Sequence, residues 1–371
     1  MCTVNTRRLG IDQGLRSPLN RFAELPARQW REPVQVQAWI VERPSPVDEG
    51  PLRLVERAVP VPGPGQMRVR VRACGVCRTD LHLAEGDLPP RHRGVVPGHE
   101  IVGVVDRLGE GAGRFAEGDR VGIAWLRGTC GRCRFCRAGS ENLCIQPSFT
   151  GWDADGGFAE YAVVDERYAY RLPDDFSDTD VAPLLCAGII GYRALRRTNL
   201  PRFGRLGIYG FGASAHLAAQ IAIREGATVH VLTRSQDARQ LALELGAASV
   251  GDATDSPPEP LDAAILFAPV GTLVPVGLSA LDRGGTLVVA GIHLTDIPSL
   301  SYERHLFEER TLTSVTANTR SDGEELLLAA GRLHIDVTTT PYPFAEADRA
   351  LSDLAHDRVR GAAVIVVEGA A

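Results

Sequence analysis

Four side chains with different chemistry lie within the six residues from Cys77 to His82. They are a thiolate, a hydroxyl, a carboxylate and an imidazole, from Cys77, Thr79, Asp80 and His82. A thiolate is a good zinc ligand, and an imidazole can pass a proton to solvent. We therefore interpret Cys77 as the first ligand of a catalytic zinc, and Thr79 and His82 as the start of a proton relay. For this motif alone, a core cysteine beside a surface histidine is the better interpretation, because lone motifs often match by chance.

Three residues elsewhere in the chain are candidate ligands of the same metal. His99 stands just before an apolar run at 101–105 that predicts a strand, and Glu100 follows it as an alternate ligand or a group that holds the site. Cys186 opens an apolar helical stretch. Taken singly, such residues are more often satisfied polar or core positions. The assignment therefore depends on all of them occurring together.

The strongest single motif is a loop with four cysteines at short spacing, Cys130, Cys133, Cys136 and Cys144. Four thiolates match a closed tetrahedral zinc site, which is structural because it leaves no position for a substrate. The negative charge of that site would be offset by three arginines of the loop, Arg132, Arg134 and Arg137. The competing interpretation is a zinc ribbon that binds nucleic acid, which the formal net charge of -6 disfavours.

A dinucleotide-binding turn is predicted at residues 210–215. A buried strand at 205–209 leads into a glycine-rich turn, and a helical pattern and a second strand at 227–232 follow. Gly210 permits the tight turn, Gly212 lets the backbone approach a pyrophosphate at the helix N-terminus, and Ala215 allows close packing. The predicted cofactor contacts in this turn are Gly210, Gly212, Ala213 and Ser214.

The residues after the second strand bear on the choice between NAD and NADP. An acidic residue there would bind the adenosine ribose hydroxyls and favour NAD, but the sequence has Thr233-Arg234-Ser235. Arg234 and the two hydroxyls would hold a 2′-phosphate, which slightly favours NADP(H) over NAD(H). The alternative is that Ser235 is only a helix N-cap and Arg234 a solvated surface residue.

Composition limits the class of protein and its partners. The chain has 371 residues, of which 44% are hydrophobic and 23% charged, an ordinary globular composition with room for two domains. The acidic balance argues against nucleic-acid or anionic-membrane partners, and the sequence predicts neither a membrane span nor a secretory signal. Eight cysteines in such a chain indicate metal binding in a reducing compartment, so we expect a cytoplasmic protein.

The first half of the chain is predicted to be rich in β-strands. Residues 1–36 are poorly patterned and are predicted to form a flexible extension. Short alternating runs at 38–42, 52–58 and 67–73 are separated by Pro/Gly clusters, a pattern typical of a barrel or sandwich.

The second half is predicted to contain one doubly wound sheet of six strands, because βα pairs follow one another from residue 205. A Pro-rich link at 341–343 and a last strand at 363–367 are predicted to bring the chain back to the first domain. The predicted domains are therefore 37–186 together with 319–371, and 187–318.

These motifs, in this order, resemble the zinc-containing alcohol dehydrogenases of the medium-chain dehydrogenase/reductase family. The resemblance covers the chain from about Gln37 to its end and rests on residues 75–82, Gly98-His99-Glu100, the four-cysteine loop, Cys186 and the glycine-rich turn. It implies an α/β protein with a GroES-like β-rich catalytic domain and a Rossmann cofactor domain, with the active site in the cleft.

The resemblance also implies roles for single residues. The catalytic zinc would be held by Cys77, His99 and Cys186. Asp80 would support that site, Thr79 would hydrogen-bond the substrate oxygen, and His82 would pass the proton on. Trp125 would line the substrate pocket. Arg78 falls where family members contact the cofactor pyrophosphate.

Two positions depart from the family pattern. The acid after the second Rossmann strand is absent, and Ala362 replaces an arginine that often contacts phosphate, for which Arg360 could substitute.

The predicted reaction is hydride transfer between a primary alcohol or aldehyde and NADP(H) or NAD(H), with one catalytic and one structural Zn²⁺ per chain. A homodimer or homotetramer is expected, with residues 285–291 pairing edge to edge. One alternative is a zinc-free quinone or enoyl reductase of the same superfamily, which lacks the ligands and the cysteine loop. The other is a zinc-stabilised binding protein without turnover, against which the intact pair Thr79 and His82 argues.

Overall fold

The computed structural model describes residues 35–367, so the predicted flexible extension at 1–36 lies almost wholly outside the described residues. The strands are β1 (Gln35–Val41), β2 (Leu52–Ala58), β3 (Gln66–Val76), β4 (Glu100–Leu108), β5 (Arg120–Ile123), β6 (Leu126–Gly128), β7 (Ser148–Phe149), β8 (Tyr161–Asp165), β9 (Ala169–Arg171), β10 (Arg205–Tyr209), β11 (Thr228–Leu232), β12 (Ser249–Gly251), β13 (Leu261–Leu266), β14 (Leu281–Val289), β15 (Thr311–Ser314), β16 (Thr339–Pro343) and β17 (Ala362–Val366). The helices are α1 (Arg78–Glu85), α2 (Arg134–Arg137), α3 (Asp178–Val181), α4 (Ala187–Arg197), α5 (Ala213–Arg224), α6 (Gln236–Glu244), α7 (Leu273–Ala280), α8 (Tyr302–His305), α9 (Arg320–Leu333) and α10 (Ala347–Ala355).

The β-rich part is built on a seven-stranded sheet in the order β16-β17-β3-β4-β5-β9, with β8 also pairing to β3. In the first half of its central strand β3, more buried and less buried side chains largely alternate, because successive side chains of a strand point to opposite faces. Met67, Val69 and Val71 are fully buried on one face. Two register shifts between β3 and β4 bend this strand, which ends at the start of the motif that contains Cys77.

The second part is a six-stranded sheet in the order β12-β11-β10-β13-β14-β15, and all five of its strand pairings are parallel. Parallel strands covered by helices on both faces are apolar throughout, and Ile208, Val231 and Ile265 are fully buried. The predicted doubly wound sheet of six strands is confirmed. Since the order reverses beside β10, the turn after this strand opens at the position where such sheets bind ligands.

The predicted link at 341–343 is wrong. These residues belong to β16, which runs parallel to β17 at the edge of the first sheet. Proline lacks a backbone N–H but is tolerated on an edge strand, where one side needs no donor. The return of the chain is as predicted, because β17 pairs antiparallel with β3, with Ile365 opposite Cys74.

The expected edge-to-edge pairing through residues 285–291 is also wrong for this fold. These residues largely belong to β14, which is paired to β13 on one side and to β15 on the other. The edge on this side of the sheet is β15, a strand of four residues, and the opposite edge is β12. Among residues 35–367, no helix has the length and apolar character that crossing a bilayer requires. The domain limits predicted from the sequence remain predictions.

Candidate active site and metal centres

Cys77 lies at the junction between β3 and α1, where it caps the helix. Its Sγ accepts a hydrogen bond from the N–H of Thr79 at 3.3 Å, and its own N–H donates to Asp80 Oδ2 at 2.9 Å. This reciprocal arrangement is a capping box. The short spacing of the motif therefore has a local cause: the same residues that begin the helix place a thiol at its positive end.

The structure brings the first set of candidate ligands together from three distant parts of the chain. His99 Nε2 lies 3.3 Å from Cys77 Sγ and 3.3 Å from Cys186 Sγ. Together with Glu100, these residues offer donor atoms that all lie within 4.8 Å of one another. His99 directly precedes β4, and Cys186 follows the short 3-10 turn Ala182–Leu185 and precedes α4.

The buried groups of this cluster shift one another's pKa values, and the hydrogen bond with Cys77, together with burial, raises the pKa of Cys186 well above the ordinary thiol value. The hydrogen bond with Cys186 lowers the pKa of Cys77 well below the ordinary thiol value, although burial opposes this effect. Burial raises the pKa of Asp80, whose Oδ1 lies 3.4 Å from Nδ1 of His99. The same Oδ1 accepts a hydrogen bond from the N–H of Gly98 at 2.9 Å. Asp80 is thus fixed by the backbone behind the imidazole, with its carboxylate facing the buried Nδ1 of His99.

Glu100 is buried at the same place, and Gly75 makes the room for it. A Cβ added to Gly75 would lie 1.8 Å from Oε2 of Glu100, so any larger residue would displace the carboxylate. Burial raises the pKa of Glu100 well above its usual range, and nearby Cys77 adds to this effect. The predicted alternate ligand therefore lies within reach of the cluster, and its position explains the glycine that precedes Cys77 by two residues.

The four cysteines of the loop form a second cluster, with donor atoms within 4.8 Å of one another. The Sγ atoms of Cys133 and Cys136 are 3.5 Å apart, and those of Cys130 and Cys136 are 4.0 Å apart. Backbone N–H groups point at the sulfurs, for example from Cys130 to Cys144 at 3.3 Å. Hydrogen bonds from the N–H groups of Cys136 and Ile145 lower the pKa of Cys133 to about 6.

The glycine-rich turn has the geometry expected of a phosphate-binding loop. Gly210 adopts a φ of +85°, which a residue with a side chain rarely adopts. Gly212 is the N-cap residue of α5, and a Cβ added there would meet no atom within 4 Å, so this glycine borders open space. Ala215 is fully buried against the sheet. The helix N-terminus is thus available to an anion.

The comparisons with known proteins now decide the family. A family model of the alcohol dehydrogenase GroES-like domain matches residues 63–174, and one of the zinc-binding dehydrogenases matches residues 215–330. A probable alcohol dehydrogenase AdhA of Mycobacterium tuberculosis is 59% identical over 337 residues, which cover 90% of this chain and 97% of that protein. This chain belongs to the alcohol dehydrogenases of the medium-chain dehydrogenase/reductase family.

Solved structures agree with this assignment of the alcohol dehydrogenase fold. A cinnamyl alcohol dehydrogenase of Sorghum bicolor superimposes with a TM-score of 0.79 at 27% identity, covering 90% of this chain and 97% of that chain. The CAD of Helicobacter pylori, complexed with NADP(H), has a TM-score of 0.80 at 25% identity, covering 90% and 98%. The predicted fold class, a GroES-like β-rich domain with a Rossmann domain, is confirmed.

The predicted relay residues of this alcohol dehydrogenase lie on α1. Thr79 is buried next to the cluster, with 9% of its surface exposed, and His82 is one turn further along. Nδ1 of His82 lies 3.1 Å from Oδ2 of Asp87, and its ring meets that of His293 at a centroid distance of 4.6 Å. We did not predict Asp87 or His293, because neither lies in a motif.

Trp125 stands beside the cluster, as its predicted place in a substrate pocket requires. Its ring is edge-on to that of His99 at 5.0 Å and stacks on Phe149 at 4.8 Å. The stack continues to Trp152, 6.0 Å from Trp125. A rigid aromatic wall therefore borders the metal-binding residues on one side.

The residues after β11 have the features of the alternative interpretation, a serine that caps a helix and an exposed arginine. Ser235 caps α6, because its hydroxyl accepts a hydrogen bond from the N–H of Ala238 at 3.3 Å. Thr233 is buried, whereas Arg234 is exposed at the C-terminal end of the strand. Arg78 is likewise exposed, and its guanidinium lies 2.5 Å from the carboxylate of Asp357.

Proposed function

We propose that this protein is a zinc-dependent alcohol dehydrogenase that interconverts primary alcohols and aldehydes with NADP(H) or NAD(H). The observation that carries the proposal is the convergence of Cys77, His99 and Cys186 in one cluster, in which His99 is buried and the two cysteines are partly buried. Two thiolates and one imidazole form the donor set of catalytic zinc sites that keep a fourth position open for a ligand. The proposed metal ligands are therefore these three residues, with Glu100 as an alternate.

The donor geometry fits zinc. In a tetrahedral site with Zn–S bonds of about 2.3 Å and Zn–N bonds of about 2.0 Å, sulfur and nitrogen lie about 3.5 Å apart, close to the observed 3.3 Å. Two sulfurs of such a site lie about 3.8 Å apart, and the four-cysteine loop shows 3.5 and 4.0 Å. The loop, Cys130, Cys133, Cys136 and Cys144, is the proposed site of a structural Zn²⁺.

The chain's own residues then orient the metal ligand His99, bind the substrate oxygen and move the proton. When bound, zinc supplies a Lewis acid for the substrate oxygen, and the nicotinamide supplies the hydride acceptor or donor. Asp80 holds the ring of His99 in place, and the hydroxyl of Thr79 would hydrogen-bond the substrate oxygen. His82 would carry the proton on, because an imidazole exchanges protons near neutral pH. Trp125 would exclude water from one side of the substrate.

The proposed cofactor site combines the glycine-rich turn with two arginines. Gly210, Gly212, Ala213 and Ser214 would bind the pyrophosphate together with Arg78. Arg234, with the neighbouring hydroxyls of Thr233 and Ser235, would face the adenosine ribose, and the absence of an acid there favours NADP(H). A nicotinamide cofactor is supported by the similar Helicobacter pylori protein, whose structure contains NADP(H).

The zinc content of the purified protein tests the proposal. Two zinc ions per chain are expected, together with absorbance change at the reduced-nicotinamide band on primary alcohols or aldehydes. No zinc would favour the zinc-free quinone or enoyl reductase. Two zinc ions without turnover on a broad panel would favour the zinc-stabilised binding protein. His99→Ala should lose one zinc ion and all turnover. His334→Asn, a change at the end of α9, should keep both zinc ions and the wild-type turnover.

The choice of cofactor is tested at Arg234. Arg234→Ala should raise KM for NADPH by roughly tenfold or more, since hydrogen bonds between charged groups contribute about 1.5–3 kcal/mol, and should leave KM for NADH unchanged. Arg332→Ala is the matched control, because it removes an exposed arginine from α9 that pairs with Glu225. Equal effects of Arg234→Ala on both cofactors would rule out a role in NADP selection.

We further propose a cytoplasmic homodimer or homotetramer. The exposed edge strand β15 offers a place for two copies to pair, since unpaired edges favour strand addition. Light scattering coupled to gel filtration measures the assembly directly, and a monomeric mass would contradict it.

A further inference from the structure

Arg78 and Asp357 form an ion pair that links the start of α1 to the turn after α10. Nη2 of Arg78 lies 2.5 Å from Oδ1 of Asp357, and the two residues are 279 positions apart in the chain. Asp357 adopts a φ of +55°, in the left-handed region that aspartate tolerates better than most residues. The turn therefore presents a carboxylate to the arginine at a position where glycine would be the easier choice.

Within residues 35–367, the ion-pair partner of Asp357 is Arg78. The neighbouring cations are engaged elsewhere: Arg358 Nε lies 2.8 Å from Asp353 Oδ1, and His356 Nε2 lies 3.4 Å from Asp48 Oδ1. The charge of Asp357 is therefore directed at Arg78.

Another anion can replace the carboxylate of Asp357 in this ion pair. The side chains of Arg78 and Asp357 are 50% and 85% exposed, respectively, and exposed pairs contribute little to stability because water and salt screen them. A pyrophosphate carries more negative charge than one carboxylate and accepts several hydrogen bonds from a guanidinium. It would therefore replace Asp357 at Arg78.

We propose that Asp357 competes with the cofactor for Arg78, holding the guanidinium in the cofactor-free enzyme and giving it up to the pyrophosphate. This inference rests on the proposed function, because it takes Arg78 as a pyrophosphate contact. Asp357 thus lowers the affinity for the cofactor and favours its release.

Asp357→Asn tests the competition, because asparagine keeps the left-handed backbone and removes the charge. Fluorescence titration with NADPH and NADH should give Kd values roughly two- to fivefold lower, the range expected for release of an exposed pair. Asp357→Gly should do the same, and added salt should reduce the difference. An unchanged or higher Kd in both variants would overturn the proposal.

Asp336→Asn is the matched control. It breaks the exposed pair between Arg224 and Asp336, 2.9 Å apart, at the end of α5 remote from the glycine-rich turn. Its Kd values should equal those of the wild type, and a comparable decrease would show that loss of any surface acid tightens binding, which overturns the specific role of Asp357.

The Arg78→Ala background separates this inference from the proposed function. If Arg78→Ala leaves the cofactor Kd unchanged, the proposed pyrophosphate contact fails whatever Asp357 does. If Arg78→Ala weakens binding, the effect of Asp357→Asn should largely disappear in the double variant. A decrease in Kd of the same size in both backgrounds would show that Asp357 acts without Arg78 and would overturn the competition alone.

Discussion

The imidazole rings of His82 and His293 meet edge to face, with centroids 4.6 Å apart. His82 belongs to α1, whereas His293 lies after β14 of the second sheet, so the proposed relay is formed where the two parts of the chain meet. Asp87 contacts Nδ1 of His82 at 3.1 Å. The position of the His82 ring therefore depends on both parts.

His82→Gln should lower kcat for alcohol oxidation by roughly 100-fold, because a positioned acid or base contributes at least that much. The loss should shrink at high pH, where hydroxide replaces the missing base, and a pH profile of kcat measures this. His293→Gln should give a smaller decrease, since it only removes a ring contact. His334→Asn, remote from the site, should match the wild type. A His82→Gln enzyme with the wild-type profile would exclude the relay.

Trp125 should set the size of the accepted alcohol. Trp125→Ala removes the ring that packs on His99 and Phe149, so kcat/KM for short-chain alcohols should fall by about tenfold, as expected from one lost apolar contact surface. Bulky aromatic alcohols should be gained as substrates. Trp125→Phe keeps a ring, so its kcat/KM values should lie between those of the wild type and those of Trp125→Ala. If the ranking of substrates did not change in either variant, Trp125 would lie outside the pocket.

Cys133→Ser should remove one zinc and leave the catalytic site in place. The loop would lose one of four thiolates, and structural zinc contributes directly to folding, so the midpoint of thermal unfolding should fall. Turnover per folded molecule should be nearly kept at low temperature. Cys74→Ala is the control, because this buried thiol belongs to neither cluster and its loss should leave two zinc ions per chain. Unchanged zinc content in Cys133→Ser would contradict the structural site.

Short sequence patterns predict those elements of this protein that depend only on residues close together in the chain. The strand at 52–58 follows from alternation and is β2 with the same limits. The motif from Cys77 to Asp80 is a helix cap, so its residues are close in space because they are close in sequence. The four-cysteine loop is compact for the same reason. Side chains that meet within one turn or loop can be inferred without the fold.

Contacts between distant segments could not be predicted in this way. His293 reaches His82, and Asp357 reaches Arg78, only because two sheets and the returning β17 fix the loops that carry them. No residue type beside either position marks the contact. Pro341 and Pro343 show the opposite case, because their turn propensity is overridden by an edge-strand position that needs no donor from proline.

Glu141 should make stability depend on acid pH. Burial acts to raise the pKa of its carboxyl, but hydrogen bonds from the side chain and N–H of Arg320, at 2.8 and 2.7 Å, hold it below the usual 4.5. The unfolded chain then binds a proton first, so the stabilisation is complete above pH 4.5 and is lost as pH falls through the folded pKa. Glu141→Gln should therefore reduce the free energy of unfolding at pH 7 by about 1–2 kcal/mol, measured by urea titration.

The difference between wild type and Glu141→Gln should narrow steadily as the pH is lowered below 4.5. Glu324→Gln is the matched control, because Glu324 lies on α9, the helix that Arg320 begins, and the change breaks the more exposed pair between Glu324 and Arg114. That change should reduce the free energy of unfolding only slightly. Since Glu141 belongs to the four-cysteine loop and Arg320 begins α9, a difference that stayed constant with pH would show that this ion pair does not anchor the loop.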